Sequence, residues 1–278
     1  MNLVSGDSLH RSVHEMISLG NGLCFGIRSE NMDRETDFDI PGEVIARAMD
    51  LGNLATIAPH KVKYVNRYNI QWLIDSVKSG SQFRYTTFWQ ADMGCENRML
   101  SQWYQGKPIT INGRTYVTAE QYMMSEKALL FNDTQSYEKI MAATDPAICK
   151  QLGRGVKNFD SGKWESAFRE IIFHGNLAKL QSDIEIVDAL LETGNSILVE
   201  ASPLDDKYGA GISSKNLLND DGTLKVMPWD WHKKDSTKQA ENHLGFVLMG
   251  VRDLFRELMR ERFMPGMDKP EYLGGWHE

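Results

Sequence analysis

From about residue 85 onward, apolar positions recur at helical spacing, and they predict helices at 135–142, 145–153, 162–178 and 184–193. Gly194 follows the last of these as a terminator. A closing amphipathic helix at about 242–262 collects Leu244, Val247, Leu248, Val251, Leu254, Phe255 and Leu258 on one side. Another helix is predicted after Thr118, because Thr118 and Gln121 have capping-box spacing at the head of AEQYMMSEKALLF. Strand signals are sparser. Residues 83–89 form an aromatic strand-like run, and 109–116 carry Asn112-Gly113 between apolar flanks, as a hairpin turn would. SILVEA at 196–201 is a short strand that breaks at Pro203. The segment 202–241 reads as a long loop, and loops of that length often carry function. Residues 1–84 are of mixed character, with helical patterns near 41–52 and 68–79. The expectation is a mainly α fold with a small β component over 85–265, an N-terminal extension of unknown role at 1–84 and a C-terminal tail at 266–278.

Composition changes this picture mainly by exclusion. At 278 residues the chain holds one large domain, or a domain with an appendage. Lysine and arginine total 31 against 38 aspartate and glutamate, a formal charge of −7, which disfavours broad charge-driven coating of nucleic acid and leaves local basic pockets open. No stretch approaches the roughly 18 consecutive apolar residues of a membrane span, so no membrane association is expected. The first twenty residues lack an uninterrupted apolar segment and a small-residue cleavage site, which predicts no secretory leader and a cytoplasmic location. Cys24, Cys95 and Cys149 are scattered without CxxC spacing, against both a disulfide framework and a structural zinc site. Gly20, Gly22 and Gly26 do not match the dinucleotide-binding fingerprint, and His10 with His14 has no third metal ligand nearby.

Several residues could carry chemistry. Glu120 and Lys127 are seven apart on the helix after Thr118, nearly two turns, so both point to one side. Tyr122, Met123, Met124, Leu129, Leu130 and Phe131 make most of that helix apolar, and burial would make the charged pair reactive. Spacing alone is met more simply by an exposed pair. Arg154 and Lys157 lie beside a Gly-containing turn ahead of a helix, where phosphate can be held, or where two basic side chains are simply solvated. Trp164 and His174 on the next helix fit core packing, and Lys179 near its end suits the helix dipole. Glu200 ends the SILVEA strand and Asp205 follows in the loop, a common place to display functional groups. Tyr208-Gly209-Ala210-Gly211 would let backbone approach a ligand, or is a plain turn; Trp229 and Trp231 either stack on a base or anchor the loop.

Taken together, TAEQYMMSEKALLF, LGRGVKNFD with Trp164, LVEASPLDDKYGAG and NHLGFVLMGVR stand in an order and spacing that resembles the NADAR, or YbiA-like, family over about residues 85–260. The resemblance implies a multihelical YbiA-like fold and an N-glycosidase that cleaves a ribose C1-to-nitrogen bond without metal or cofactor. The substrate classes it implies are ADP-ribosylated guanine, in a nucleotide or a short single-stranded nucleic acid, and phosphoribosylamino-pyrimidine intermediates of riboflavin synthesis. The rival reading is a module that binds ADP-ribose or a related nucleotide without cleaving it.

Matched by position, the resemblance puts the family's site at Glu120, Lys127, Glu200 and Asp205, with Glu120, Lys127 and Asp205 as catalytic groups. Arg154, Lys157 and Lys179 become candidates for phosphate, and Trp103, Tyr104, Tyr122 and Tyr208 for the base; Gln121, Asn158, Trp164 and Gly209 belong to the same motifs. Gln102 stands where Asn is common, Tyr208 where Trp is common, and Leu180 where Phe often follows the lysine. Cleaving such a bond leaves positive charge on C1 and the ring oxygen, so a carboxylate near C1 and a proton donor to the leaving amine both assist. Lys127 has two candidate parts, a cation that orients anions or an amine that attacks C1.

Overall fold

The computed structural model describes residues 63–90 and 97–263. In chain order the elements are α1 (Ile70–Lys78), β1 (Tyr85–Phe88), a 3-10 turn (Arg98–Leu100), β2 (Ile109–Ile111), β3 (Arg114–Tyr116), α2 (Ala119–Leu130), α3 (Thr134–Ala142), α4 (Pro146–Arg154), α5 (Ser161–Ser182), α6 (Ile184–Leu191), β4 (Ile197–Glu200), α7 (Ser214–Leu217), a second 3-10 turn (Pro228–Asp230) and α8 (His243–Phe263). The fold is mainly α, as the periodicity predicted, and the predicted helices and strands after residue 85 all form within a few residues of their expected ends. Helical patterning at 41–52, the paired histidines, the glycines at 20–26, Cys24, Cys95 and the tail at 266–278 lie outside the described residues.

α2 is the hub, packed against α3, α4 and α5. Its start is set locally: the Thr118 hydroxyl accepts from the Gln121 amide at 3.1 Å, capping the first turn. Gln121 departs from the capping-box expectation. Its Oε1 accepts from the Val117 amide at 2.8 Å, and its Nε2 donates to the carbonyls of Ile140, Met141 and Ala143 at the end of α3. The side chain therefore clamps α2 to α3. Tyr122 is also structural: its ring meets Tyr116 edge-on with centroids 5.2 Å apart, over the hairpin β2–β3. That hairpin turns through Asn112 and Gly113, both with positive φ (50° and 76°), the geometry that makes Asn-Gly a strong turn signal.

β1 and β4 pair in parallel, from Tyr85 opposite Ile197 to Phe88 opposite Glu200, and α8 packs on β4. Asn242, just before α8, joins the two: its Oδ1 accepts from the Glu200 amide at 3.0 Å and its Nδ2 donates to the Leu198 carbonyl at 2.9 Å. This clamp fixes the end of β4, where Glu200 sits. The long loop 202–241 contains α7 and the second 3-10 turn and is pinned by Trp231, which is fully buried and donates to the Val226 carbonyl at 3.0 Å. Trp229 is exposed, with the Lys78 ammonium 5.5 Å from its ring centre.

Packing continues upstream of residue 84. Tyr64 and Val65 are buried, the Tyr68 hydroxyl donates to Asp253 at 2.6 Å, and Arg67 pairs with the same carboxylate at 3.1 Å. Arg169 on α5 donates to the carbonyls of Val65 and Tyr68 at 3.0 and 2.8 Å. The segment around 64–68 is thereby fastened to α5 and α8.

Candidate active site

Glu120, Met123, Met124 and Lys127 follow the i, i+3, i+4, i+7 pattern that puts them on one face of α2. That face lines a cavity of about 280 Å³. Lys150 and Arg154 of α4, Trp164 and Ile172 of α5, Glu200 at the end of β4, and Leu204, Asp205, Asp206 and Tyr208 from the loop behind it complete most of the wall, with Gln102 and Trp103 entering from the turn before β2. Carboxylates, cations and aromatic rings thus converge on one concave space, the arrangement expected of a site that binds a polar ligand and acts on it.

Four carboxyl groups line the cavity; Asp206 pairs with Lys233 at 3.2 Å, and the other three differ in their surroundings. Glu120 is buried; burial raises its pKa to about 7, Asp205 adds to the rise, and Lys150, the neighbouring Trp103 side chain and Arg154 oppose it. Glu200 is pushed further, to about 8, by burial and then by Asp205 and Glu120, with Lys150 opposing. Its Oε2 is sealed from solvent and has no hydrogen-bond partner among the described residues. Asp205 is the most thoroughly engaged: Oδ2 accepts from Lys150 at 3.2 Å and Oδ1 from the amides of Lys207 and Tyr208 at 3.1 and 2.9 Å. Neighbouring acids with such different environments are how one site holds both a proton and a negative charge at neutral pH.

Lys127 donates to the Gly153 carbonyl at 2.8 Å, and its ammonium lies 4.5 Å from the Phe159 ring centre and 5.4 Å from that of Trp164. Burial, followed by the charges of Lys207 and Arg154, lowers its pKa, while Glu120 raises it. Trp164 is buried and donates from its indole to the Tyr208 hydroxyl at 3.1 Å, which fixes two aromatic walls together. Burial raises the Tyr208 phenol well above its ordinary range.

Of the residues singled out from sequence, the cavity brings together Trp103, Glu120, Lys127, Arg154, Trp164, Glu200, Asp205 and Tyr208. Others lie elsewhere for clear reasons. Gln121 and Tyr122 are spent on helix clamping and core packing. Tyr104 turns to a separate, more open cleft of about 620 Å³ that also borders Trp103, Arg98 and Gln105. Lys157 points away, its ammonium on Gln135 at 3.2 Å and its amide on Asp133 at 2.9 Å, and Asn158 is an exposed left-handed turn residue with φ of 56°. Lys179 is fully buried and donates to the carbonyls of Met99 and Ser101, so it is not available to a phosphate in the cavity. Gly209 is structural: a Cβ there would lie 2.7 Å from the Glu200 carbonyl oxygen and 3.0 Å from that of Asp205. Sequence reasoning missed Lys150, which looked like any polar residue of a predicted helix, and Leu204, which lines the cavity while 79% exposed. Among the described residues, no group of three or more His, Cys, Asp or Glu side chains is placed to hold a metal ion, and no helix is long and apolar enough to cross a membrane.

The NADAR domain family matches residues 87–256, the span that carries every wall of this cavity. The chain belongs to the NADAR family. Similar proteins include an N-glycosidase of Acanthamoeba polyphaga mimivirus, 36% identical over 162 residues that cover 56% of this chain and 86% of the relative. An N-glycosidase of Nostoc punctiforme is 28% identical, over 54% of this chain and 81% of its own length. The N-glycosidase YbiA of Escherichia coli K12 is 25% identical, over 52% and 74%. The NMR structure of Escherichia coli YbiA aligns with a TM-score of 0.48 at 22% identity, over 67% of this chain and 94% of that one. Its family and these relatives place the chain among the N-glycosidases.

Proposed function

We propose that this NADAR protein hydrolyses the bond between ribose C1 and a nitrogen, on ADP-ribosylated guanine or on a phosphoribosylamino-pyrimidine. The observation that carries the reading is the sharing of one cavity by a protonatable acid, Glu120, an engaged carboxylate, Asp205, and the amine of Lys127.

As the C1-to-nitrogen bond breaks, its electron pair leaves with the base and positive charge builds on C1 and the ring oxygen. Asp205, anchored by Lys150 and two amides, is the anion that steadies this charge. Glu120, with a pKa near neutrality, gives its proton to the departing nitrogen, and water supplies the hydroxyl at C1 and the proton that restores the acid. The walls of Trp103, Trp164 and Tyr208 suit a planar base, and Arg154 at the cavity edge suits a phosphate. At about 280 Å³ the cavity is small among ligand pockets and suits the sugar and its base, with the phosphates toward the rim.

The test is incubation with ADP-ribosylated guanine in a nucleotide, the same adduct in a short single strand, and phosphoribosylamino-pyrimidines, each followed by mass spectrometry. Release of the free base or amine by the native chain, lost in Glu120→Gln, supports hydrolysis and identifies the substrate. Tight binding with no release from any of them supports the non-catalytic nucleotide-binding module instead.

A further inference from the structure

Trp103 reaches Glu120 from a turn that has little regular structure of its own. The 3-10 turn Arg98–Leu100 precedes it, and Ser101 at its end is already extended. What fixes this stretch comes from α5. The Lys179 ammonium sits between the carbonyls of Met99 and Ser101, the latter at 2.7 Å, and Asn176 one turn earlier donates to the Gln102 side chain at 3.2 Å. The Gln102 carbonyl in turn accepts the Glu120 amide at 3.0 Å. The two residues flanking Gln102 are thus Ser101, held by Lys179, and Trp103, which lines the cavity with Glu120.

Burying a lysine completely among carbonyls, with no carboxylate among its hydrogen-bond partners in the described residues, is costly and calls for a gain elsewhere. Simple core filling does not require it, since a leucine or methionine would fill the same space without the desolvation cost. Two donors aimed at two carbonyls of one turn do something an apolar side chain cannot: they set where that turn stands relative to α5. The amine does this charged or neutral, since even a neutral amine keeps two N–H groups.

We propose that Lys179 is a positioning residue for the active site, holding the Met99–Ser101 carbonyls so that Gln102 and Trp103 stand against Glu120 on the cavity wall. The inference rests on the reading of Glu120 as the acid of the site. Lys179 never touches the substrate; it acts through Trp103, on the proton affinity of Glu120. Around that carboxyl stand Lys127 on α2, Lys150 and Arg154 on α4, and Glu200 and Asp205 at β4 and its loop, and none of these is held by Lys179. Loss of Lys179 therefore lets Trp103 move away from Glu120 while leaving the charges in place, and without the nearby indole N–H, which favours the carboxylate, Glu120 becomes harder to ionise.

The experiment follows the indole N–H signals of the full chain by NMR between pH 5 and 9. The Trp103 signal is identified by its absence in Trp103→Phe, and it is expected to titrate with Glu120, near pH 7, and to stop titrating in Glu120→Gln. In Lys179→Met the Trp103 signal is expected to lose this titration or to move its midpoint upward. The Trp231 indole, bonded to Val226 and lining neither the cavity nor the cleft beside Trp103, should stay where it is and report that the fold is intact. Lys179→Gln, which keeps one donor at reduced reach, should give an intermediate change and serves if the methionine variant does not fold. An unchanged Trp103 titration in a folded Lys179 variant overturns the proposal. These signals do not depend on turnover, so an inactive substrate assay, which bears on the proposed reaction, and a failed titration test, which bears on Lys179, are separate results.

Discussion

Lys150 and Asp205 meet at 3.2 Å although 55 residues separate them, and the pair joins α4 to the loop behind β4 across the cavity. The contact does more than tie two elements. Lys150 opposes the upward shift of both Glu120 and Glu200, so one cation tunes the carboxyl groups around it. Lys150→Met should leave Asp205 as a less well-held anion and move both glutamates to still higher pKa. Removing a charge-assisted hydrogen bond of this kind costs roughly 10- to 100-fold where it serves the reaction. Because both partners are partly solvated, stability should fall by only about 1 kcal/mol. A loss in kcat/KM of that size with a small change in Tm is the expected outcome; unchanged kinetics would remove Lys150 from the site.

Gly209→Ala should separate the loop from β4. The added methyl would collide with two backbone oxygens, those of Glu200 and Asp205, which have no flexible side chain to move aside. Relief requires the loop carrying Asp205 and Tyr208 to shift, at about 1–3 kcal/mol for overpacking of this kind. Chemical denaturation should show that loss, and the variant should lose activity beyond what its folded fraction explains. A variant with native stability and rate would mean that the loop moves freely without consequence.

How much of this was legible in the sequence follows from how local each feature is. The start of α2 at Thr118 and the hairpin at Asn112-Gly113 depend on neighbours within a few residues, and both were readable. The common direction of Glu120 and Lys127 follows from helical periodicity alone. Features made by distant chain segments were hidden. Nothing near Lys150 announces Asp205, and nothing near Lys179 announces the carbonyls of Met99 and Ser101, which stand about 80 residues away in sequence. The same limit misdirected Gln121 and Tyr122. They belong to the most distinctive motif of the chain, yet their side chains leave the helix toward α3 and the hairpin while Glu120 faces the cavity.

Stability should carry the signature of the raised glutamates. The folded pKa values of Glu120 and Glu200, about 7 and 8, exceed the ordinary value of 4.5, so the folded state holds protons that the unfolded chain releases. Their contribution is complete below pH 4.5 and is lost as pH rises through 7 to 8. Lys179 works in the opposite direction: lowered from 10.5 to about 7 by burial, it contributes stability above pH 10.5 that is lost as pH falls through 7. Glu200→Gln removes one of the two declining terms. Calorimetric Tm values at pH 5 and pH 8 should therefore show the variant gaining on the native chain as pH rises. A constant difference between the two curves would mean that Glu200 does not hold its proton in the fold.

Lys127 offers the sharpest chemical test. Its contacts with the Gly153 carbonyl and the faces of Phe159 and Trp164 suit an ammonium, whereas burial and the nearby charges of Lys207 and Arg154 favour the free amine. The balance is downward, which raises the fraction of nucleophilic amine at neutral pH beyond that of a solvated lysine. With substrate in the cavity, attack on C1 would form a C–N bond to Lys127 as the bond to the base breaks, and opening of the sugar ring would leave an imine. Borohydride added during turnover should reduce that imine and leave a stable sugar adduct on Lys127, visible by peptide mass spectrometry and absent from Lys127→Ala. If no adduct forms while Lys127→Ala is inactive, the amine is not a nucleophile, and Lys127 serves as a cation that orients Glu120 or the phosphate. Activity retained in Lys127→Ala would exclude both roles and leave the reaction to the carboxyl groups alone.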